Sequence, residues 1–361
     1  MDSLYVEVCS DAIRRFGATS HAVEYCRGLF PTKARQIFKD LSGTDPFREE
    51  EVPRALKAPS SRFGLSQWFF DTETIKKIEN RFAVSSKQTV CLGVPSLAGP
   101  NYPRSLLIDL DARRVSGGIT ADIDTCDGGE LPKVFEICVA DPPWYLDHYL
   151  HWMQVARRYL RKGAQLLMPL LGELTRPSAA QERSEILSVA ESLGFDIEVL
   201  QDFCRYETPD FELAMLCRKG IFAPHWKRAD LLILTASSDP KSVSMKSRTV
   251  RKLSSVVKLE NVVFEVMHSG DGTQGDALLA IPGGLNSHIM DTPSARDPKT
   301  VKSNVFTSNG FRFFSDNTVE LVHRLRGAEN FDLLIDRNPD IGALLSDIRD
   351  DHERWFGGVE A

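Results

Sequence analysis

Asp141-Pro142-Pro143-Trp144-Tyr145 is the stretch of this sequence whose residue types and order could do chemistry. Each proline fixes its own backbone near φ of about −65° and biases the residue before it toward extended geometry, so the turn is stiff. It sets the Asp141 carboxylate and the Pro142 carbonyl beside each other as acceptors, with Trp144 and Tyr145 as aromatic faces just beyond. Such acceptors hold a nitrogen through its hydrogen, and a ring stacks on a planar base or sits over a cation. The group that suits the turn is therefore planar or cationic and carries an N–H. An ordinary strand-to-loop turn has the same local sequence, so the reading depends on what surrounds it.

The apolar run before the turn, Val134 to Ala140, reads as a buried strand. Further strands are expected over Thr89 to Gly93, Ser105 to Leu110, Ala164 to Leu171, Phe195 to Leu200 and Phe211 to Cys217. Leu146 to Arg161 and Ser178 to Leu193 have helical spacing, and Gly163 and Gly194 stand where C-terminal stops belong. Strands alternating with helices predict an α/β domain with a parallel sheet and ligands at the carboxyl ends of its strands. The last two of these strands have no helix between them and are expected to form an antiparallel edge hairpin.

Upstream, Leu4 to Phe16, His21 to Leu29 and Thr32 to Leu41 read as three short helices stopped by Gly17 and Gly43, with Thr19 or Ser20 capping the second. The turn Gly28 to Thr32 gives the last two a helix-turn-helix character, with Lys33, Arg35 and Lys39 on the candidate recognition helix. The first sixty residues nevertheless carry as many acids as bases, and a small helical cap fits them equally. Residues 44 to 64 read as a proline-punctuated linker, and Ser66-Gln67-Trp68-Phe69-Phe70 leads into a helix over Ile75 to Phe82 with Asp71 or Thr72 as N-cap. Beyond Lys219 the pattern changes. Leu231 to Thr235, Val262 to Met267, Ala277 to Ile281 and Asn304 to Phe314 read as strands, and Thr318 to Arg326 and Ile341 to Trp355 as helices. Lys241 to Lys258 carries six bases and no acid, a candidate phosphate contact or a solvated loop. Gly270 to Asp276 is glycine-rich without Walker spacing and reads as a turn.

At 361 residues the chain has room for about two domains, and its 42% hydrophobic and 26% charged composition is that of a globular protein. A net charge of −6 gives no global attraction to nucleic acid, so such binding would need a local basic patch. No apolar run approaches the roughly 20 residues that span a bilayer, and Met1 to Tyr5 lack the pattern of a signal peptide, so a cytoplasmic location is expected. Seven scattered cysteines with no Cys-x-x-Cys pair predict reduced, mostly buried thiols and neither disulfide nor zinc. Asp147, His148 and His151 lie at helical spacing and read as helix-face residues rather than metal ligands.

Four segments in order carry a family resemblance: Ser66 to Phe70 before a helix, Leu92-Gly93-Val94-Pro95-Ser96 ending a strand, Leu106 to Asp111, and Val139 to Trp144. Over residues 62 to 219 they resemble the N6-adenine methyltransferase family that also includes eukaryotic elongation-factor lysine methyltransferases. The Asp-Pro-Pro-Trp variant is similar, too, to the mRNA adenosine methyltransferases, although there the cofactor motif follows the catalytic one. The resemblance implies a Rossmann-like class I methyltransferase core over 61–221, while the residue patterns on either side mark out a helical unit over 1–60 and an α+β substrate or interaction domain over 222–361. Parallel strands closing with an antiparallel hairpin are what class I methyltransferases show.

The same resemblance implies S-adenosyl-L-methionine as cofactor. Gly93 and Ser96 would line the loop under its methionine part, Asp111 would take the ribose hydroxyls, and Asp122 or Asp124 would accept from its adenine amino group. A carboxylate in the Asp111 position has its own reason, since it accepts two hydroxyl hydrogen bonds at once. Asp141, Pro142, Pro143 and Trp144 would be the catalytic turn, with Gln67, Trp68, Phe69 and Tyr145 on the substrate, and Lys241, Lys246, Arg248, Arg251 and Lys252 on nucleic acid. The expected activity is N-methyl transfer, first to adenine N6 in nucleic acid and next to a protein lysine. Aminopropyl transfer making branched polyamines also uses an Asp-Pro-Pro turn, but the acidic cluster it calls for is not evident. The connector 94–104 holds three prolines, and a helix-free connector would leave a catalytically silent binding module as the remaining alternative.

Overall fold

The computed structural model describes residues 3–56, 68–110, 112, 117–125, 135–238, 254–268, 303–315, 317–339 and 341–357. The chain divides into two compact units that interleave along the sequence: Met1–Pro46, Phe69–Glu207 and His225–Val250 make the first, and Phe47–Trp68, Thr208–Pro224 and Arg251–Ala361 the second. The segments 1–60, 61–221 and 222–361 marked out above do not coincide with these units.

The first unit opens with three helices, α1 (Ser3–Phe16), α2 (Ser20–Tyr25) and α3 (Pro31–Ser42). Thr19 caps α2 by accepting from the Ala22 N–H, and Gly43 ends α3 in the left-handed region, as the sequence anticipates. The cations of the candidate recognition helix are engaged inside the unit. Lys33 Nζ lies 3.6 Å from the Tyr5 ring centroid, while Arg35 and Lys39 both reach the Asp45 carboxylate. The helical segment is also bound to the rest of its unit, with Phe30 edge-on to Trp226 at 5.3 Å and Arg27 3.6 Å from Asp230.

After these helices come β1 (Phe69–Phe70), α4 (Thr72–Phe82), β2 (Thr89–Leu92), β3 (Ser105–Asp109), β4 (Ile119–Thr120), β5 (Phe135–Ala140), α5 (Leu146–Tyr159), β6 (Leu160–Leu171), α6 (Ala179–Ser192) and β7 (Phe195–Glu207). A helix of the second unit, α7 (Asp210–Cys217), follows, and the chain then returns to the sheet as β8 (Arg228–Ala236). The eight strands lie in the order β1-β7-β8-β6-β5-β2-β3-β4. Strands β2 through β6 pair in parallel, and β8 runs antiparallel between β6 and β7. This is a Rossmann-like α/β core. The chain leaves β2 toward β3 and β4 and returns on the other side of β2 as β5, so the sheet's topological switch point lies between β2 and β5.

Three expectations are corrected here. Phe211 to Cys217 is helix α7 rather than a strand. Its apolar run has no period to separate a buried helix from a buried strand, while Pro209 at the N-cap and acidic Asp210 and Glu212 in the first turn favour helix. Leu231 to Thr235 belongs to β8 of the core sheet and not to a second domain, and the closing antiparallel pair is β7 with β8. Strand β7 runs on past Leu200 to Glu207 through a bulge between Leu200 and Cys204, where Asp202 has φ of 53°. The connector from β2 to β3 contains a 3₁₀ turn at Pro95–Leu97 and no α-helix, so no helix N-terminus follows β2.

The second unit holds the antiparallel sheet β12-β11-β10-β9, made of β9 (Ser254–Leu259), β10 (Val262–Met267), β11 (Val305–Thr307) and β12 (Arg312–Phe313). Helices α8 (Thr318–Gly327), α9 (Phe331–Arg337) and α10 (Gly342–Phe356) complete it. Phe264, Phe313, Leu321, Phe331 and Ile348 lie in its main core, and Leu213 and Cys217 of α7 pack with Trp355 and Phe356 of α10. Lys258, the last base of the 241–258 run, stands in β9 rather than in a loop. Lys241, Lys246, Arg248, Arg251 and Lys252, the strand expected over Ala277 to Ile281 and the turn 270–276 lie outside the described residues.

Six cysteines are buried free thiols, with Cys9 and Cys26 3.8 Å apart at sulfur; Cys126 lies outside the described residues. Among the described residues no helix is long and apolar enough to cross a membrane.

Candidate active site

Strands β2 and β5 end side by side at the switch point, and the Asp141 N–H closes the crevice between them by donating to the Leu92 carbonyl at 3.2 Å. The turn after β5 therefore begins where ligands of open α/β sheets bind. Pro142 and Trp144 are buried while Pro143 is exposed, and the Tyr145 N–H donates to the Pro143 carbonyl before α5 starts at Leu146.

The Asp141 carboxylate accepts a hydrogen bond of 2.7 Å from the Tyr206 hydroxyl near the end of β7. Burial pushes the Asp141 carboxyl up to about 7, against the opposing pull of the Lys227 charge and the Tyr206 hydrogen bond. The Tyr206 hydroxyl is itself raised well above its ordinary range, by burial first and the neighbouring Asp141 charge second. Trp144 turns inward rather than offering an open stacking face. Its ring stands edge-on to Tyr206 at 5.7 Å and 78°, and Lys227 Nζ lies 4.1 Å from the Trp144 centroid and 5.0 Å from that of Tyr206. Trp144 is 8% exposed, and its Nε1 is buried with no hydrogen-bond partner among the described residues. A buried N–H in that condition is costly unless a ligand accepts from it. Tyr145 is half-buried, with the Arg176 guanidinium 5.6 Å from its ring centroid.

Tyr206 is held by its neighbours on both sides. Asp71, the N-cap of α4, accepts from the Thr74 N–H at 2.8 Å and pairs with Arg205, the residue before Tyr206. Burial pushes the Asp71 carboxyl up, but Thr74 and Arg205 together hold it below its ordinary value. Strand β1 pairs Phe70 with Tyr206 in antiparallel register, and their rings lie 5.0 Å apart. The aromatic segment before α4 is thus an edge strand, and its site-facing residue is Phe70, which the sequence reading did not single out. Phe69 pairs with Glu207, Trp68 is half-buried in the second unit, and Gln67 lies outside the described residues.

The expected cofactor loop divides into three parts. Gly93 ends β2 at φ of +66°, and a Cβ there would lie 2.8 Å from Cη2 of Trp152 on α5. The glycine is thus required by the protein's own indole. Ser96 is half-buried in the 3₁₀ turn. Asp124 Oδ1 accepts from Trp152 Nε1 and meets His148 Nδ1, both at 2.9 Å. His151 Nε2 meets the Ile123 carbonyl at 2.9 Å, so both histidines anchor the loop after β4 to α5. Asp122 shapes the same loop by accepting from the Asp124 N–H at 3.0 Å. Asp111 lies outside the described residues.

Replacing Gly93 with alanine should lower stability by about 2 to 4 kcal/mol, the left-handed backbone and the clash with Trp152 acting together. Urea unfolding measures it, and a loss below about 0.5 kcal/mol would contradict this packing.

Neither a protein-family model nor a curated protein matches the chain. Among solved structures it is similar to the branched-chain polyamine synthase C9 mutein from Thermus thermophilus, in complex with N4-aminopropylspermidine and 5'-methylthioadenosine. That likeness has 13% identity over 69% of this chain and 96% of the other, with a TM-score of 0.49. TrmN from Thermus thermophilus is similar at 15% identity over 45% of this chain and 48% of its own, TM-score 0.29. A TehB-like SAM-dependent methyltransferase from Corynebacterium glutamicum is similar at 12% identity over 46% and 89%, TM-score 0.30. The fold itself is defined by the strand order and directions given above. Strand order and site together define a Rossmann-like α/β domain whose switch-point crevice ends in a carboxylate held among aromatic rings.

Proposed function

We propose that the chain is an S-adenosylmethionine-dependent N-methyltransferase acting on an amino nitrogen, with a nucleobase amino group such as adenine N6 as its acceptor. The observation that carries this reading is the Asp141 carboxylate, fixed by Tyr206 at the switch point, with Trp144 three residues on in the same turn, its Nε1 buried and without a hydrogen-bond partner among the described residues. An acceptor and a donor on one rigid turn suit an amidine-like edge, an amino group next to a ring nitrogen, as adenine presents.

The described residues fit the cofactor by placement: Gly93, Ser96 and Asp122 stand at or just past the carboxyl ends of β2 and β4, where a nucleoside-bearing ligand of this fold lies. Asp124, with Oδ1 engaged by Trp152 and His148, would have its second oxygen as the acceptor. When bound, the cofactor supplies a methyl group already activated on a sulfonium. Asp141 then has one task, to accept an N–H of the acceptor and so fix its nitrogen in orientation, while Tyr206 keeps the carboxylate in place. Trp144 Nε1 donates to the ring nitrogen beside the amino group.

The test is transfer of labelled methyl from S-adenosylmethionine to cell extract, with nuclease and protease digestion run in parallel. Label lost to nuclease supports the reading. Label lost to protease makes the acceptor a protein, and no label in any fraction refutes methyl transfer.

A further inference from the structure

The aromatic faces of the site are already covered by cations of this chain. Lys227 Nζ sits over the Trp144 and Tyr206 rings, and its charge also acts on Asp141. Arg176 covers Tyr145 and is paired with Glu182. Lys227 is fixed there by the sheet, since the Tyr206 N–H donates to its carbonyl at 3.1 Å immediately before β8 begins.

A protonated amine is recognised by an aromatic face together with a carboxylate whose charge is not yet balanced. Lys227 Nζ lies over the aromatic faces, and its charge pulls on the carboxylate. A second ammonium within about 5 Å of Nζ meets repulsion that lowers affinity by roughly 10- to 100-fold at a partly solvated site. A neutral amino group on an aromatic ring meets none of it, because it needs an acceptor only, and its ring tolerates a cation nearby.

We infer that Lys227 sets the charge of the acceptor at this site, excluding ammonium-bearing molecules such as polyamines and protonated lysine side chains in favour of a neutral aromatic amine. The inference rests on reading the Asp141 turn as the acceptor site, and it assigns Lys227 a specificity role that the sequence around the turn does not reveal.

Calorimetric titration of the full chain with spermidine, and separately with adenosine, tests it without the cofactor, so a chain that transfers nothing still answers. Lys227→Met keeps the apolar stem against Trp144 and removes the charge. It should bind spermidine at least about 10-fold more tightly than wild type and adenosine within about threefold. The gained spermidine binding should vanish when Asp141→Asn is added. Lys227→Arg, which keeps the charge, should behave as wild type; Lys227→Gln takes the place of Lys227→Met if a thermal melt shows that variant unfolded. Tight spermidine binding by wild type, a gain in Lys227→Arg equal to that of the neutral variant, or a gain that survives Asp141→Asn would each overturn the inference.

Discussion

Asp141→Ala should leave S-adenosylmethionine affinity within about twofold of wild type while methyl transfer falls roughly 10²- to 10³-fold. The carboxylate is asked to hold the acceptor nitrogen, an interaction made with the acceptor and not with the cofactor, so its loss belongs in the transfer rate. The variant also removes the 2.7 Å hydrogen bond that the buried Tyr206 hydroxyl donates to Asp141. Loss of that bond should lower stability by about 1 kcal/mol, which the same preparation shows in a urea melt. Asp141→Asn keeps an acceptor oxygen and should retain much more transfer than alanine. Equal transfer by Asp141→Ala and wild type would remove Asp141 from the chemistry wherever the label went.

The second large effect is on stability, and its sign follows from the raised Asp141 value of about 7 against an ordinary value of 3.8. Between those two values the folded state holds a proton that the unfolded state has released, so stability falls as pH rises from about 4 to about 7. Below that window the carboxyl is neutral in both states, and its contribution is fully present. Asp141 is half-buried, so the full shift is discounted for solvent screening to roughly 2 kcal/mol. Asp141→Asn removes the titration. It should therefore be close to wild type at pH 4 and more stable by roughly 2 kcal/mol at pH 8. Other carboxylates titrate in both proteins, so the difference between their urea midpoints across pH isolates Asp141. A difference that does not change between pH 4 and pH 8 would contradict the burial argued here.

The sequence shows the centre of this architecture well and its periphery poorly, for physical reasons. Strands β2, β3, β5 and β6 and helices α5 and α6 are legible because continuous apolar runs mark buried strands and helical spacing their crossovers; Gly194 follows α6 as expected, whereas Gly163, expected as the stop of α5, falls inside β6. Helix α7 is misread because an apolar run buried on all sides has no period to report. The end of β7 is missed because the bulge at Asp202 interrupts the alternation that would have carried the strand to Tyr206. The site divides the same way. The Asp141 to Trp144 turn is local and readable, but Tyr206, 65 residues away, reaches Asp141 only through strand pairing. Lys227 precedes a strand that inserts between two earlier ones, an order that composition does not encode. Asp124 and Trp152 illustrate the converse. An acid placed after β4 looks free for a ligand until the packing of α5 supplies it with an indole N–H and a histidine.

Calorimetric titration of the wild-type chain with S-adenosylmethionine asks directly whether the switch-point crevice takes that compound. We expect one site per chain with a dissociation constant between about 1 μM and 1 mM, the range in which enzymes hold their substrates. No binding heat at millimolar S-adenosylmethionine, from protein shown by a thermal melt to be folded, would contradict it.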